Sequence, residues 1–161
     1  MDPRLLGFAG LFQAPNMHPA VVHFPLALVP VALVLFGAGH LADSPGVRLA
    51  GRVCLWLALV SAMVAVFTGS KAVNDLPRDP AVWELLKAHR TLAFLSMFAT
   101  TALAAWSTAH RRHRPRAVWW FLAALAFDCA LVFQTGDLGA RMVYAHGAAV
   151  KTGPPPAAVG R

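Results

Sequence analysis

The stretch Met17-His18-Pro19-Ala20-Val21-Val22-His23-Phe24-Pro25 opens an apolar run that continues as LALVPVALVLFGAGH to His40. From Ala20 to His40 the run holds no Asp, Glu, Lys or Arg. A helix of about 20 such residues crosses the roughly 30 Å hydrocarbon core of a bilayer, so this is read as a membrane span with two histidines set into its mouth. Pro25 and Pro30 lie inside it, and each leaves a carbonyl one turn earlier without its donor. Neighbouring helices must satisfy those carbonyls, and a kink is expected near His23.

The rest of the chain has the same character. Its 161 residues are 58% hydrophobic and only 13% charged, with mean hydropathy +0.57, a composition beyond that of soluble domains. The length suits a single domain of about four spans with short connections and no separate soluble domain. The expected fold class is all-α, an integral membrane four-helix bundle. A net charge of +7 and a pI near 10.8 would fit nucleic acid, but the basic residues flank the apolar runs. There they orient the protein and meet anionic headgroups, so nucleic acid is set aside. Cys54 and Cys129 sit inside apolar runs and read as small core residues. No C-x-x-C-H is present, so a haem would be held by axial ligands alone. Asp2 and Arg4 make a poor signal n-region and Leu5 to Phe12 is short, so the N-terminus is expected to stay on the protein.

Residues 1–16 place Leu5, Phe8 and Phe12 at near-helical spacing, which suits a segment lying on the membrane surface. The four-span domain is assigned to residues 17–150. After the first span, about Ala20 to His40, the turn from Leu41 to Gly46 leads to a second span from about Val47 to Gly69. There Ala58, Ser61, Ala65 and Thr68 form a small-residue face for close packing. Asp79 followed by Pro80 is a helix-start signal, which predicts a third helix from Pro80 to about Ala109. At 1.5 Å per residue it would be roughly 45 Å long and project beyond the membrane. His89 falls where it enters the bilayer, and Ser96, Thr100 and Ser107 lie within about 20° of it on the helical wheel. That polar stripe should face the bundle interior. The basic cluster His110 to Arg116 reads as a solvated loop, since four arginines disfavour a metal between His110 and His113. The fourth span runs from about Ala117 to Leu138, with Trp119 and Trp120 at the headgroup level. Gly136 and Gly139 allow a bend before His146, with a helix continuing to His146 as the alternative, and residues 151–161, rich in proline, read as a disordered tail.

Orientation follows from the short loops. The turns after spans one and three hold Arg48, Arg52, Arg111, Arg112, Arg114 and Arg116, whereas the opposite loop holds Lys71, Arg78, Lys87 and Arg90. The bias makes the arginine turns cytoplasmic and both termini periplasmic. His18, His23, His89 and His146 then gather at the outer face, and His40, His110 and His113 at the inner one.

The opening M-H-P-x-x-V-H-F-P from Met17 to Pro25, the His89-Arg90 pair, and the stretch from Thr135-Gly136 to Tyr144-Ala145-His146-Gly147 resemble a domain-of-unknown-function family of small four-helix bacterial membrane proteins. The resemblance covers most of Met17 to Val150. It implies four spans and a bacterial inner membrane, and it brings no activity.

Function is therefore read from the histidines. Bis-histidine ligation of haem b draws imidazoles from facing helices into an apolar slot lined by small residues. The expectation is a b-type cytochrome-like electron-transfer protein with one or two haems, a subunit rather than a stand-alone enzyme. His23 and His89, each set inside a helix, are the expected first pair. His18 and His146, in flanking segments, would serve a second site or support the first. Arg90 and Arg141 would meet haem propionates. Beside the bilayer, the implied partners are other subunits of a redox complex, quinol or a periplasmic electron carrier. The alternatives are a copper- or zinc-handling membrane protein, since several histidines also suit those ions, and a non-redox accessory subunit whose histidines only cap helices. Asp128 stands about 11 residues into the fourth span, where a charge costs at least roughly 2.5 kcal/mol. It reads either as a proton relay or as a neutral, hydrogen-bonded carboxyl facing a Ser or Thr.

Overall fold

A computed structural model describes residues 17–109 and 115–148. The proposed interfacial segment 1–16, the loop histidines His110 and His113, and the tail 151–161 lie outside the described residues. Among the described residues all regular structure is helical, and four helices are long and apolar enough to span a membrane.

The first span starts earlier than its apolar run implies. Helix α1, His18–Val21, carries Pro19 at its first turn and passes through Val22 into α2, His23–Leu41. Proline is pre-set for a first helical turn and needs no donor there, so His18 belongs to the helix instead of preceding it. The ladder breaks at Val22 because Pro25 has no N–H for the carbonyl of Val21. Helix α3, Pro45–Ala72, is capped by the Ser44 hydroxyl, which accepts from the Val47 N–H. A short 3-10 turn, Val73–Asp75, follows.

Helix α4, Pro80–Ala109, begins where Asp79 and Pro80 predicted, with Asp79 Oδ1 accepting from the Ala81 N–H at 2.9 Å. Helix α5, Pro115–His146, runs unbroken through Gly136 and Gly139 to His146. It stops at Gly147, which takes φ +63°. Beyond it Ala148 N–H reaches back to Met142 O at 3.0 Å and buries its methyl beside Met142, Val82 and Leu86. Gly147 N–H itself donates to Val143 O at 2.9 Å, the single bond of a left-handed cap, and a left-handed glycine in that place ends a helix, so the terminator is Gly147.

The bundle is a square. Helix α2 packs on α3 and α5, and α4 packs on the same two. The end holding Arg48 and Arg52 is densely filled: Phe36, Phe121 and Trp106 stack edge to face at 4.9 and 5.7 Å, and Arg52 Nε donates to Ser107 O at 2.9 Å. Large side chains such as Val34, Phe67, Phe98 and Phe127 point outward, as a lipid-facing surface requires. Ser96, Thr100 and Ser107 are all buried, so the polar stripe of α4 does face the interior.

The two halves of the bundle repeat one another. Burial in residues 51–64 recurs residue for residue in 121–134, and the pattern of 18–38 recurs with few changes in 89–109. The first hairpin, α1 to α3, and the second, α4 and α5, are therefore two copies of one unit running in the same direction. Such parallel repeats are related by an axis along the membrane normal, and His18 and His89 occupy equivalent places.

Candidate cofactor site

At the end of the bundle opposite Arg48 the helices part around a cavity of about 630 Å³, within the roughly 300–1,000 Å³ of ligand pockets. His18 and His89 meet in it with ring centroids 6.2 Å apart and ring planes at 87°. Each ring is held by its own hairpin. His18 Nδ1 lies 3.0 Å from the Ala65 carbonyl on α3, and His89 Nδ1 lies 2.9 Å from the Thr135 carbonyl on α5. A carbonyl oxygen only accepts, so each Nδ1 carries the proton and donates it. The lone pair of each neutral imidazole is then on Nε2. This tautomer, with the ring fixed through Nδ1–H to a carbonyl, is the usual state of a metal-ligating histidine.

Glycines bring the helix backbones up to the rings. A Cβ at Gly69 would stand 2.8 Å from His18 Cε1, and one at Gly139 would stand 3.5 Å from His89 Cε1. Ala62, Ala65, Val66, Ala93 and Gly136 complete an apolar, small-residue wall. Thr68 Oγ1 adds a longer contact of 3.4 Å to His18 Nδ1.

The other residues singled out in the sequence are distributed differently. His23 lines the cavity from an exposed position, where the other half has Phe94. The ring in contact with His89 is that of His18. The register decides this: α1 starts at His18, and five residues later the helix has turned His23 toward the rim. His146 ends α5, with Nδ1 3.6 Å from Asp79 Oδ2, and so ties the end of α5 to the start of α4. Arg90 lines the cavity, whereas Arg141 is paired with Asp137 at 2.7 Å. Among the described residues no three of His, Cys, Asp and Glu gather as a metal-binding set. Cys129 is buried and Cys54 partly so, and both are free thiols in the packed end.

The family described as "Predicted membrane protein (DUF2231)" matches residues 14–152. The chain belongs to that family. The match contains every site residue named above, from His18 to His146, and its description names a membrane location without an activity. No curated protein and no solved structure matches the chain.

Sequence reasoning missed Gly69, Gly139 and the two carbonyl anchors. The signal for them was a comparison of the chain with itself. His89 follows His18 by 71 positions, while Gly139 follows Gly69 and Thr135 follows Ala65 by 70. A self-similarity at an offset of 70 to 71 marks equivalent residues from their positions along the chain alone.

Proposed function

We propose that this protein is a membrane-bound b-type cytochrome-like electron-transfer protein, with one haem b held between His18 and His89. We read it as a subunit of a redox complex rather than a stand-alone enzyme. The observation that carries the reading is the pair of perpendicular imidazoles 6.2 Å apart, each tied by Nδ1 to a backbone carbonyl. Imidazole nitrogens bind metals at about 2.0 Å, so two rings on opposite faces of one iron have centroids about 6 Å apart.

Haem bound there supplies reversible one-electron chemistry between ferric and ferrous iron. The protein's part is to position and to insulate. The Ala65 and Thr135 carbonyls fix ring orientation and raise the basicity of Nε2. The small residues of α3 and α5 leave space for a flat macrocycle. Arg90, at the rim, is placed to meet a propionate, whereas Arg141 would have to leave Asp137. Haem takes two axial nitrogens, which the cavity has. A structural zinc centre takes four ligands, which favours haem over the zinc alternative.

Arg48 and Arg52 lie at the far end of the bundle, and by the positive-inside bias that end is cytoplasmic in this proposal. The haem is then near the periplasmic face of a bacterial inner membrane, with quinol in the bilayer and a periplasmic carrier as the implied electron partners. The test is the absorbance of protein purified from haem-replete cells, with the haem-to-protein ratio. One haem per chain, with a Soret band that sharpens on reduction and is lost in His18→Ala and His89→Ala, is the expected result. Metal without a Soret band would return the site to copper chemistry, and neither would leave an accessory subunit.

A further inference from the structure

Below the histidines the cavity extends along α4, past Ser96, to Thr100. Thr100 Oγ1 donates to Asp128 Oδ2 at 2.7 Å. Asp128 is wholly buried, and its Oδ1 has no hydrogen-bond partner among the described residues. Beneath this pair the packed core of Leu103, Ala104, Phe121 and Leu125 closes the bundle. Thr100 therefore lines the cavity, and the carboxyl lies buried behind it, joined to the cavity wall by that one hydrogen bond.

The internal repeat shows that helix packing does not call for this polar pair. Thr100 corresponds to Val29 and Asp128 to Ala58, and both of those are 0% exposed in the first half. The same layer is filled there without a polar atom. One half of the bundle thus carries a carboxyl near mid-membrane, where a charge is costly, in a place that an alanine fills in the other half.

We propose that Asp128 is a proton-binding site, loaded and unloaded through the cavity by way of Thr100. A proton arriving from hydronium at the cavity floor forms a new O–H bond on Thr100 Oγ1 and leaves water behind. The hydroxyl's original O–H bond breaks, and that proton forms an O–H bond on Asp128 Oδ2. No electron moves. With Oδ1 lacking any donor among the described residues, the carboxyl rests in its proton-bound form, in which Oδ2–H donates to Thr100 Oγ1 across the same 2.7 Å contact, and it releases the proton by the same route.

The titratable or charged groups bordering the cavity are His18 and His23 from the first span, His89 and Arg90 from α4, and Asp137 and Tyr144 from α5. Cys129 adjoins Asp128 on α5, and Cys54 of α3 packs against the same core. Thr100 supplies the one hydrogen bond to Asp128 among the described residues. The proposal needs no haem, so it is tested on the chain without haem, with the cavity open to water.

The experiment is infrared spectroscopy of the full chain in lipid nanodiscs. A protonated carboxyl C=O band is expected that shifts on transfer to D₂O and disappears in Asp128→Asn. Should that variant fail to fold, Asp128→Glu should move the band instead. Thr100→Val and Ser96→Leu should keep the band and slow its hydrogen–deuterium exchange at least tenfold. The proposal is overturned if the wild type has no such band, if the band is indifferent to Asp128 substitution, or if both relay variants exchange at the wild-type rate.

Discussion

Substituting alanine at the two equivalent glycines gives opposite outcomes if the rings are held as described. At Gly69 the added Cβ would lie 2.8 Å from His18 Cε1 and 3.1 Å from Nδ1, whereas ordinary contact begins near 3.4 Å. The ring must therefore retreat by about 0.6 Å. The 3.0 Å bond to the Ala65 carbonyl cannot survive that shift unchanged, and a typical intramolecular hydrogen bond contributes about 1 kcal/mol. Overpacking adds roughly 1–3 kcal/mol, and removing a helical glycine returns roughly 0.5–1 kcal/mol. Gly69→Ala should thus cost about 1–3 kcal/mol net. At Gly139 the new Cβ would meet His89 Cε1 at 3.5 Å, ordinary contact, so Gly139→Ala should be neutral or gain about 0.5–1 kcal/mol. The assay is thermal unfolding in detergent followed by circular dichroism, alongside the haem-to-protein ratio. Gly69→Ala should melt lower and bind less haem, and Gly139→Ala should match the wild type. Equal behaviour of the two variants in both measurements would refute the reasoning.

The histidines divide by position: His23→Ala should keep the low-spin spectrum that His18→Ala loses, as should His146→Ala, whose 3.6 Å contact with Asp79 contributes at most about 1 kcal/mol. His110→Ala and His113→Ala should be spectroscopically silent. Rebuilding the polar layer on the pattern of the first half, as Thr100→Val with Asp128→Ala, should leave the protein folded and at least as stable in the same melt, because a costly buried polar pair gives way to packing already used at Val29 and Ala58. Asp128→Ala alone, which strands the Thr100 hydroxyl, should lower stability relative to that double variant by about 1–3 kcal/mol. Reporter fusions after Pro45 should read as cytoplasmic and fusions within residues 73–78 as periplasmic, and the reverse would move the cavity to the other face.

The sequence by itself determined what depends on neighbours along the chain. Runs of about 20 apolar residues leave the backbone no way to satisfy its polar groups in lipid except as helices, so four spans could be counted from the runs alone. The start of α4 was legible because Asp79 and Pro80 act within one turn. The inward stripe of Ser96, Thr100 and Ser107 was legible because helical periodicity alone puts the three on one side, and a polar side in lipid turns inward. The choice between His18 and His23 was not legible in this way. The two are five residues apart at a helix start, and which one faces its partner depends on where the helix begins and how it is rotated against α3 and α5. Those are set by packing across the bundle. Between a bend at the two glycines and a helix continuing to His146 the sequence left the choice open, since the last turns of α5 are held from outside by Val82 and Leu86 and closed by Gly147. The tertiary structure alone brought together His18, His89, the carbonyls of Ala65 and Thr135, and the glycines behind the rings. These contacts join residues about 50 to 70 positions apart, at distances that no local preference encodes.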